Sequence, residues 1–279
     1  MENHKNFLTS SQILASMDDI VKRNSIHLEL KGLTRDTRDI ISAIINGILE
    51  RIGADPLSSF HLFSGLMEAL LNALKSNIRY TIFKNELSAK LKDVENSEQE
   101  IDRLLNIILE TTALRDAMQR YVVPDKIKRL VQTILSLEDK VRVKQAQISE
   151  PDRDFLESVR LKMKSENRKI SMKIKLFEKE LYIRIKNDSP IMDIDMDRIA
   201  ESRKKHHDLF LEGKSAEFFR PEFLDEKESA GFGIAMIDEG FYNMGLDPLE
   251  QFTYTQGKTA TTVYLTYPLD KLRSGAFTL

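Results

Sequence analysis

The ten-residue stretch EALLNALKSN places three chemically useful side chains at helical spacing. Glu68 and Asn72 lie one turn apart, and Lys75 follows about one turn later. A carboxylate can polarise a water molecule as a general base, and a carboxamide oxygen belongs to the oxygen ligands that Mg²⁺ prefers. The same pattern also fits an ordinary helix with one solvated face, so the rest of the chain must separate the two interpretations.

The residues around this stretch predict a helix over about residues 57–84 with one apolar side. At about 100° per residue, its polar residues fall on a stripe about 80° wide. The remaining arc is apolar enough to seat the helix on a sheet. The stripe comprises His61, Gly65, Glu68, Asn72, Lys75 and Arg79, and the arc comprises Leu62, Phe63, Leu66, Leu70, Ala73, Leu74 and Ile78.

Two downstream segments favour a nucleotide site. In AGFGIAM, Gly231 and Gly233 stand at the mouth of a predicted helix, where exposed backbone N–H groups and the helix dipole attract phosphate. In IKNDSPI, the residues Asn187, Asp188 and Ser189 end a predicted β-hairpin. Together with Glu68 and Asn72, these segments make a nucleotide site the favoured hypothesis.

Periodicity along the chain predicts the elements that would position these residues. SIHLELKGL alternates as a strand, and SMKIKLFEKELYIRIKND and QFTYTQGKTATTVYLTYPL alternate as two β-hairpins. Isoleucines at helical spacing predict a helix that ends at Gly53. The order of elements predicts an α+β fold, a two-layer α/β sandwich whose mixed, mainly antiparallel sheet is covered by helices on one face.

The middle of the chain is charged and aliphatic, with heptad-like Leu and Ile spacing, and predicts a long helical insertion. We assign residues 1–25 to an N-terminal extension, residues 26–84 and 170–279 to the main domain, and residues 85–169 to an inserted helical arm. The apolar stripes of the arm need cover. Packing within the arm, a second copy in a homodimer, or a protein partner could each supply it.

Composition sets limits on the class of protein. With 279 residues, 41% of them hydrophobic, the chain can bury one large core or a core plus an accessory helical part. A net charge of −2 gives no overall basic field, so we expect no nucleic-acid binding, although local patches remain open. The absence of cysteine excludes disulfides and thiolate sites. The sequence has no apolar run long enough to predict membrane insertion. Both observations fit a cytoplasmic protein.

Four segments resemble, in order, the motifs of the GHKL ATPases, the superfamily of gyrase, MutL and histidine kinase catalytic domains. EALLNALKSN resembles the N-box, IKNDSPI the G1 box, AGFGIAM the G2 box, and TATTVYLTYP the final strand. The resemblance covers most of residues 26–270 apart from the arm. It implies that the main domain is a histidine-kinase-like ATP-binding domain with the Bergerat fold.

The resemblance implies roles at the phosphate end of the site. Glu68 would be the general base, Asn72 the Mg²⁺ ligand and Lys75 a phosphate contact. Gly231 and Gly233 would lie at the phosphates of ATP.

At the adenine end, the resemblance implies a degenerate G1 box. Asn187 or Asp188 would take the place of the adenine-reading aspartate, Ser189 replaces the usual glycine, and Thr261 or Thr262 would lie near the base. A neutral asparagine accepts a hydrogen bond about half as strongly as a carboxylate. Alternation along the strand would point the next residue the other way. We therefore expect weakened ATP affinity.

The segment KSAEFFRPEFLDEKES lies where the family has its mobile ATP lid. Its residues Phe218, Phe219 and Phe223 could close over a nucleotide or simply pack. Lys214 or Arg220 could reach a γ-phosphate, and an ordinary surface charge is the alternative for each.

The resemblance implies an ATP- and Mg²⁺-binding protein of signal transduction, either a protein kinase or an ATPase. His61, His206 and His207 lack the sequence pattern of a phosphoacceptor helix, and we interpret them as surface residues. The domain would therefore phosphorylate a serine or histidine of a partner protein in trans. The alternative is a degenerate nucleotide-sensing or anti-sigma-like regulatory module with little catalytic turnover.

Overall fold

The computed structural model describes residues 10–92, 148–165, 168–191, 193–220, 230–257 and 259–274, together with residues 129, 133, 134, 136, 137 and 140. Its strands are β1 Ser25–Leu30, β2 Ile170–Leu176, β3 Glu180–Asn187, β4 Phe252–Gln256 and β5 Thr261–Pro268. Its helices are α1 Ser10–Ala15, α2 Met17–Val21, α3 Arg35–Ile52, α4 Pro56–Lys92, α5 Glu150–Ser165, α6 Asp193–Leu211, α7 Ala230–Asn243, α8 Pro248–Gln251 and α9 Leu269–Ser274, with a 3₁₀ helix at Ser215–Phe219.

The five strands form one sheet in the order β1-β2-β3-β5-β4, and every neighbouring pair is antiparallel. The predicted α+β class and two-layer α/β sandwich are confirmed, with a sheet that is antiparallel throughout these strands. Both predicted hairpins are present as β2-β3 and β4-β5. The sheet register fixes which side chains share a face, because successive residues of a strand point to opposite sides.

One face of the sheet is buried by helices. Alternate residues of β2 and β3 point into the core, with Met172, Leu181 and Ile183 completely buried. They meet the fully buried Ile41 and Ile44 of α3 and apolar residues of α4. Burying side chains of this size contributes about 1.5–3 kcal/mol each. The opposite face of the sheet carries polar and aromatic residues.

Helix α3 has the start and stop signals that its sequence predicts. The side chain of Thr34 caps its first turn by accepting a hydrogen bond from the Thr37 backbone N–H at 3.3 Å. Gly53 ends it with a φ of 66°, a left-handed conformation that favours glycine. Within the helix, Gly47 lies directly under Val21 of α2, so the N-terminal helices dock on α3 at a position without a side chain.

Helix α4 runs for 37 residues, past the predicted start of the arm at residue 85. No break in the helix therefore marks the boundary between the main domain and the arm. Beyond the main core, α4 contributes Ile78 to a second apolar cluster with Ile134, Leu137 and Leu156. Part of the arm thus packs back against α4. None of the helices in the described ranges is long and apolar enough to cross a membrane.

Candidate functional site

Helix α4 and the start of α7 bring Glu68, Asn72 and Gly233 together. A Cβ atom on Gly233 would lie only 2.7 Å from Glu68 Oε2, 3.2 Å from Asn72 Nδ2 and 3.4 Å from Asn72 Oδ1. The absence of a side chain at Gly233 therefore lets the backbone of α7 approach the two polar groups. The two segments EALLNALKSN and AGFGIAM, which the sequence indicated separately, are therefore neighbours in the structure.

The remaining predicted residues of this end lie close by in the chain. Gly231 is in the first turn of α7, two residues before Gly233. Lys75 follows Asn72 along α4 and is half-buried, as are Glu68 and Asn72. The first backbone N–H groups of α7 have no partner within the helix, so this helix end can attract an anion.

A buried hydrogen-bond network lies two turns further along α4. Asn187, at the end of β3, is 3% exposed, and its side-chain amide donates to Ser189 Oγ at 2.6 Å and to the Ser189 carbonyl at 3.2 Å. Ser189 is fully buried, and its hydroxyl donates to Asn77 Oδ1 at 3.1 Å. Ser76 Oγ lies 2.7 Å from Ser189 Oγ and is then the donor, because the Ser189 hydroxyl has a single proton.

Thr261 belongs to this network, whereas Thr262 does not. Thr261 pairs with Asn187 across β3 and β5, is buried, and donates from Oγ1 to the Ser189 carbonyl at 2.8 Å. Thr262 pairs with the exposed Lys186 and projects from the opposite face of the sheet. Thr262 is therefore placed away from the site to which the sequence assigned it.

Asp188 is also directed away from the network. Its carboxylate accepts a hydrogen bond from the Lys169 backbone N–H at 3.2 Å, and its carbonyl accepts one from Arg168. Alternation along β3 explains the difference, because Asn187 continues the buried series of the strand and Asp188 does not. Of the two candidates for reading a base, only Asn187 occupies the inner position.

Ser76 and Asn77 belong to this network, although their sequence pattern did not indicate a site. Both lie inside the quoted stretch EALLNALKSN, and Asn77 is 1% exposed between apolar neighbours of α4. The available signal was a carboxamide on the otherwise apolar arc of the helix. A buried amide needs hydrogen-bond partners, and here the partners come from the end of β3.

The interpretation of the histidines as surface residues is wrong for His206. It is fully buried between α6, α7 and the 3₁₀ helix, with its Nε2 3.1 Å from Glu239 Oε2 and its ring 4.9 Å from that of Phe218. Its Nδ1 has no hydrogen-bond partner in the described part of the chain. His61 is half-buried, and burial lowers the pKa of its imidazole below 6.5, with Glu239 opposing the shift.

The predicted lid segment is described as far as residue 220, so Phe223 lies outside the described residues. Phe218 is buried against His206, which favours packing for this side chain. Lys214 forms an ion pair with Glu212 at 2.8 Å, and Arg220 lies 3.4 Å from Glu217. Both cations are exposed and paired with local carboxylates, as expected of surface charges.

Within the described ranges, no cluster of three or more His, Cys, Asp or Glu side chains is placed to hold a metal ion. Magnesium bound with a nucleotide needs only one or two protein oxygens in addition to phosphates. The Asn72 carboxamide beside Gly233 fits that smaller requirement.

In comparisons with family models, curated proteins and solved structures, no match to this chain was found.

Proposed function

We propose that the chain is an ATP- and Mg²⁺-binding domain of the histidine-kinase-like ATPase class that acts in signal transduction. The observation that carries this proposal is the close approach of Gly233 to Glu68 and Asn72. A general base, an oxygen ligand for Mg²⁺ and the first turn of a helix would then lie side by side, at a contact too close for any side chain at Gly233. This combination suits the transfer of a phosphoryl group.

In the proposed reaction, the chain's own residues orient and deprotonate the attacking group. The Glu68 carboxylate accepts a proton from the attacking hydroxyl, imidazole or water as the bond to the γ-phosphoryl group forms, and ADP leaves with the oxygen of the broken bond. Asn72 would hold Mg²⁺ through Oδ1, and the bound ion would neutralise phosphate charge. The N–H groups at the start of α7 and the Lys75 ammonium would hold the phosphates. The phosphoryl acceptor would be a serine or histidine of a partner protein.

The adenine would lie about two turns further along α4, against the network of Asn187, Ser189 and Thr261. One helix supports both ends, because Glu68 and Asn72 precede Ser76 and Asn77 on α4. The rise along the helix from Glu68 to Ser76 is about 12 Å at about 1.5 Å per residue, and Ser76 lies only about 40° around the axis from Asn72. That length suits a nucleotide laid along the helix.

A specific observation favours the second candidate function, a regulatory module that senses a nucleotide with little turnover. The Asn187 amide is engaged with Ser189 and Asn77 inside the protein and is almost fully buried. An adenine base that bound to Asn187 would have to compete with these internal hydrogen bonds. Weak nucleotide binding follows in either case, and a submicromolar dissociation constant for ATP would contradict it.

Nucleotide binding and hydrolysis by three proteins test the proposal. Isothermal titration with ATP, with and without Mg²⁺, is compared for the wild type, Glu68→Gln and Asn72→Ala, and phosphate release is measured for each. We expect Mg²⁺-dependent binding by the wild type, reduced Mg²⁺ dependence in Asn72→Ala, and binding without hydrolysis in Glu68→Gln. Losing the general base should slow hydrolysis about 10²- to 10⁴-fold.

Helix α3 offers matched controls of the same residue types. Asn46 and Glu50 are exposed and lie one turn apart, so Asn46→Ala and Glu50→Gln should change neither binding nor hydrolysis. Absence of nucleotide binding by the wild type would refute both candidate functions. Binding with equal hydrolysis by wild type and Glu68→Gln would refute the enzyme and leave the sensing module.

A further inference from the structure

The face of the sheet opposite the helices collects positive charge from separate parts of the chain. Lys173 and Lys175 of β2 and Arg184 and Lys186 of β3 all project from this open face, because their neighbours Met172, Ile174, Ile183 and Ile185 point into the core. The register places Lys173 directly opposite Arg184. The four cations extend along two adjacent strands over about 14 Å, because Lys186 is level with Ser171 and Lys175 lies four residues away at about 3.4 Å per residue.

These cations are not neutralised by carboxylates within the described ranges. In the described part of the chain, none of the four forms a salt bridge. Glu29 on the same face is bound to Lys169 at 3.0 Å, and Glu180 lies at the hairpin end of β3. Like charges directly opposite each other destabilise a strand pair by several tenths of a kcal/mol or more. An anionic partner would relieve this repulsion.

Aromatic rings lie beside the cations on the same face. Tyr264 pairs with Arg184 across β3 and β5, and its ring centroid is 6.1 Å from that of Tyr182. Both tyrosines are half-buried, which leaves part of each available to a partner. The hydroxyl residues Ser171, Thr253, Thr255, Thr262 and Thr266 complete the face. Cations, flat rings and hydroxyl donors therefore share one open surface.

We propose that this open face binds single-stranded nucleic acid. Phosphates would contact the four cations Lys173, Lys175, Arg184 and Lys186, and unstacked bases would lie on Tyr182 and Tyr264. Proteins that bind single strands combine a positive surface with aromatic rings in this way, and each stacked base contributes about 1–3 kcal/mol. A purely acidic peptide would use the cations and leave the tyrosine pair without a role. The surface lies across the sheet from Glu68, so it is independent of the nucleotide site.

Fluorescence anisotropy with the full chain tests this proposal. The probes are fluorescein-labelled oligothymidine and oligouridine of about 12 nucleotides, titrated between about 50 and 200 mM salt. We expect binding whose log–log salt slope is about −3, because each of four phosphate contacts releases about 0.7 counterion. Lys173→Glu/Lys186→Glu should weaken binding about tenfold or more and reduce the slope.

Two further variants separate charge from stacking. Tyr264→Thr retains a strand-forming residue and should weaken binding about fivefold or more without changing the salt slope. Arg153→Glu/Lys204→Glu makes the same change in net charge at exposed helical positions and should leave affinity within about twofold of the wild type. Circular dichroism of each variant verifies that the fold is retained.

Several results would overturn the proposal. These are no binding at the lowest salt concentration, or an equal loss of affinity in the Arg153→Glu/Lys204→Glu control. Equally tight binding of a duplex of the same length would exclude stacking on the tyrosines. Equally tight binding of a polyglutamate peptide, with no effect of Tyr264→Thr, would assign the face to an acidic protein partner instead.

Discussion

Arg203 of α6 and Asp238 of α7 form a buried bidentate ion pair, with Nε 2.9 Å and Nη2 2.8 Å from the two carboxylate oxygens. The guanidinium also donates to the carbonyls of Phe252 and Pro248. One side chain therefore joins α6, α7, α8 and β4. Burial raises the pKa of the Asp238 carboxyl above its ordinary value of 3.8, and the Arg203 guanidinium opposes that shift.

We predict that Arg203→Met lowers the free energy of unfolding by about 3–5 kcal/mol at neutral pH, because it leaves Asp238 as an unpaired buried charge. Urea unfolding followed by circular dichroism measures this loss. Arg203→Lys should also destabilise, since an ammonium cannot reproduce the two-pronged contact. A matched control is Lys204→Met, which removes an exposed cation from the adjacent position.

The cost of Arg203→Met should depend on pH. Without its partner, Asp238 has a folded-state pKa raised by burial, so the stability of the variant is greatest below the unfolded pKa and is lost as pH rises through the folded one. The stability difference between wild type and variant should therefore be smaller at pH 4 than at pH 7. An equal difference at both pH values would contradict the buried charge as the cause.

Gly233→Ala should separate stability from activity. The added Cβ meets the flexible end of Glu68, which can move, and alanine favours the helix by up to about 1 kcal/mol, so the free energy of unfolding should change little. If the proposed function holds, displacement of Glu68 and Asn72 should lower hydrolysis about tenfold or more. Thermal unfolding and phosphate release measure the two effects.

Gly240→Ala on the same helix is the control for this comparison, because its Cβ would make an ordinary 3.5 Å contact with the His61 carbonyl. Its hydrolysis rate should match that of the wild type. Equal hydrolysis by Gly233→Ala and wild type would exclude Gly233 as the residue that makes room for Glu68.

Asn187→Asp should destabilise the protein, although the proposed function would favour an aspartate at this position. The new carboxylate oxygen would replace an amide that donates to the Ser189 carbonyl and to Ser189 Oγ, and it would face acceptors. The expected loss is about 1–3 kcal/mol of unfolding free energy. Asp188→Asn keeps an acceptor for the Lys169 N–H and should change stability by less than about 0.5 kcal/mol. An unchanged free energy of unfolding in Asn187→Asp would show that the hydroxyl groups of the network can turn to donate to the new carboxylate.

Gly47→Ala should loosen the N-terminal helices from α3. Its Cβ would lie 2.6 Å from Val21 Cγ1 and 3.2 Å from Val21 Cβ, which forces α2 away at a cost of about 1–3 kcal/mol. In a Val21→Ala background the same change should cost much less, since only the 3.2 Å contact with the Cβ of residue 21 remains and alanine adds its helix propensity. Chemical unfolding of the four proteins gives the coupling energy, and a value near zero would show that the two positions do not touch.

Local periodicity was sufficient to predict the architecture of the main domain. The alternation of Met172 and Ile174 against Lys173 and Lys175 predicted both a strand and its buried face, and Gly53 predicted the end of α3. These features depend on residues close in sequence. The register of the sheet also follows once the hairpins are placed, because a slip by one residue would expose every buried side chain of a strand.

Long-range partners were beyond the reach of those patterns. Arg203 lies in a charged helix that suggests a solvated surface, and its partner Asp238 is 35 residues away. His206 looked like a surface residue for the same reason. Asn77 became part of the candidate site only when α4 was placed beside the end of β3. In each case, a polar residue in a helix is buried because another element covers it.

The length of α4 has a mechanical consequence. Leu74 and Ile78 of α4 pack against the described part of the arm. Glu68 and Asn72 lie on the preceding turns of the same continuous helix and face Gly233. A continuous α-helix transmits rotation and axial shift along its whole length. A rotation of α4 caused by the arm would therefore move the Glu68 carboxylate relative to α7, and a ligand bound beside Gly233 would oppose that rotation. Helix α4 therefore couples the position of the arm to the position of the Glu68 carboxylate.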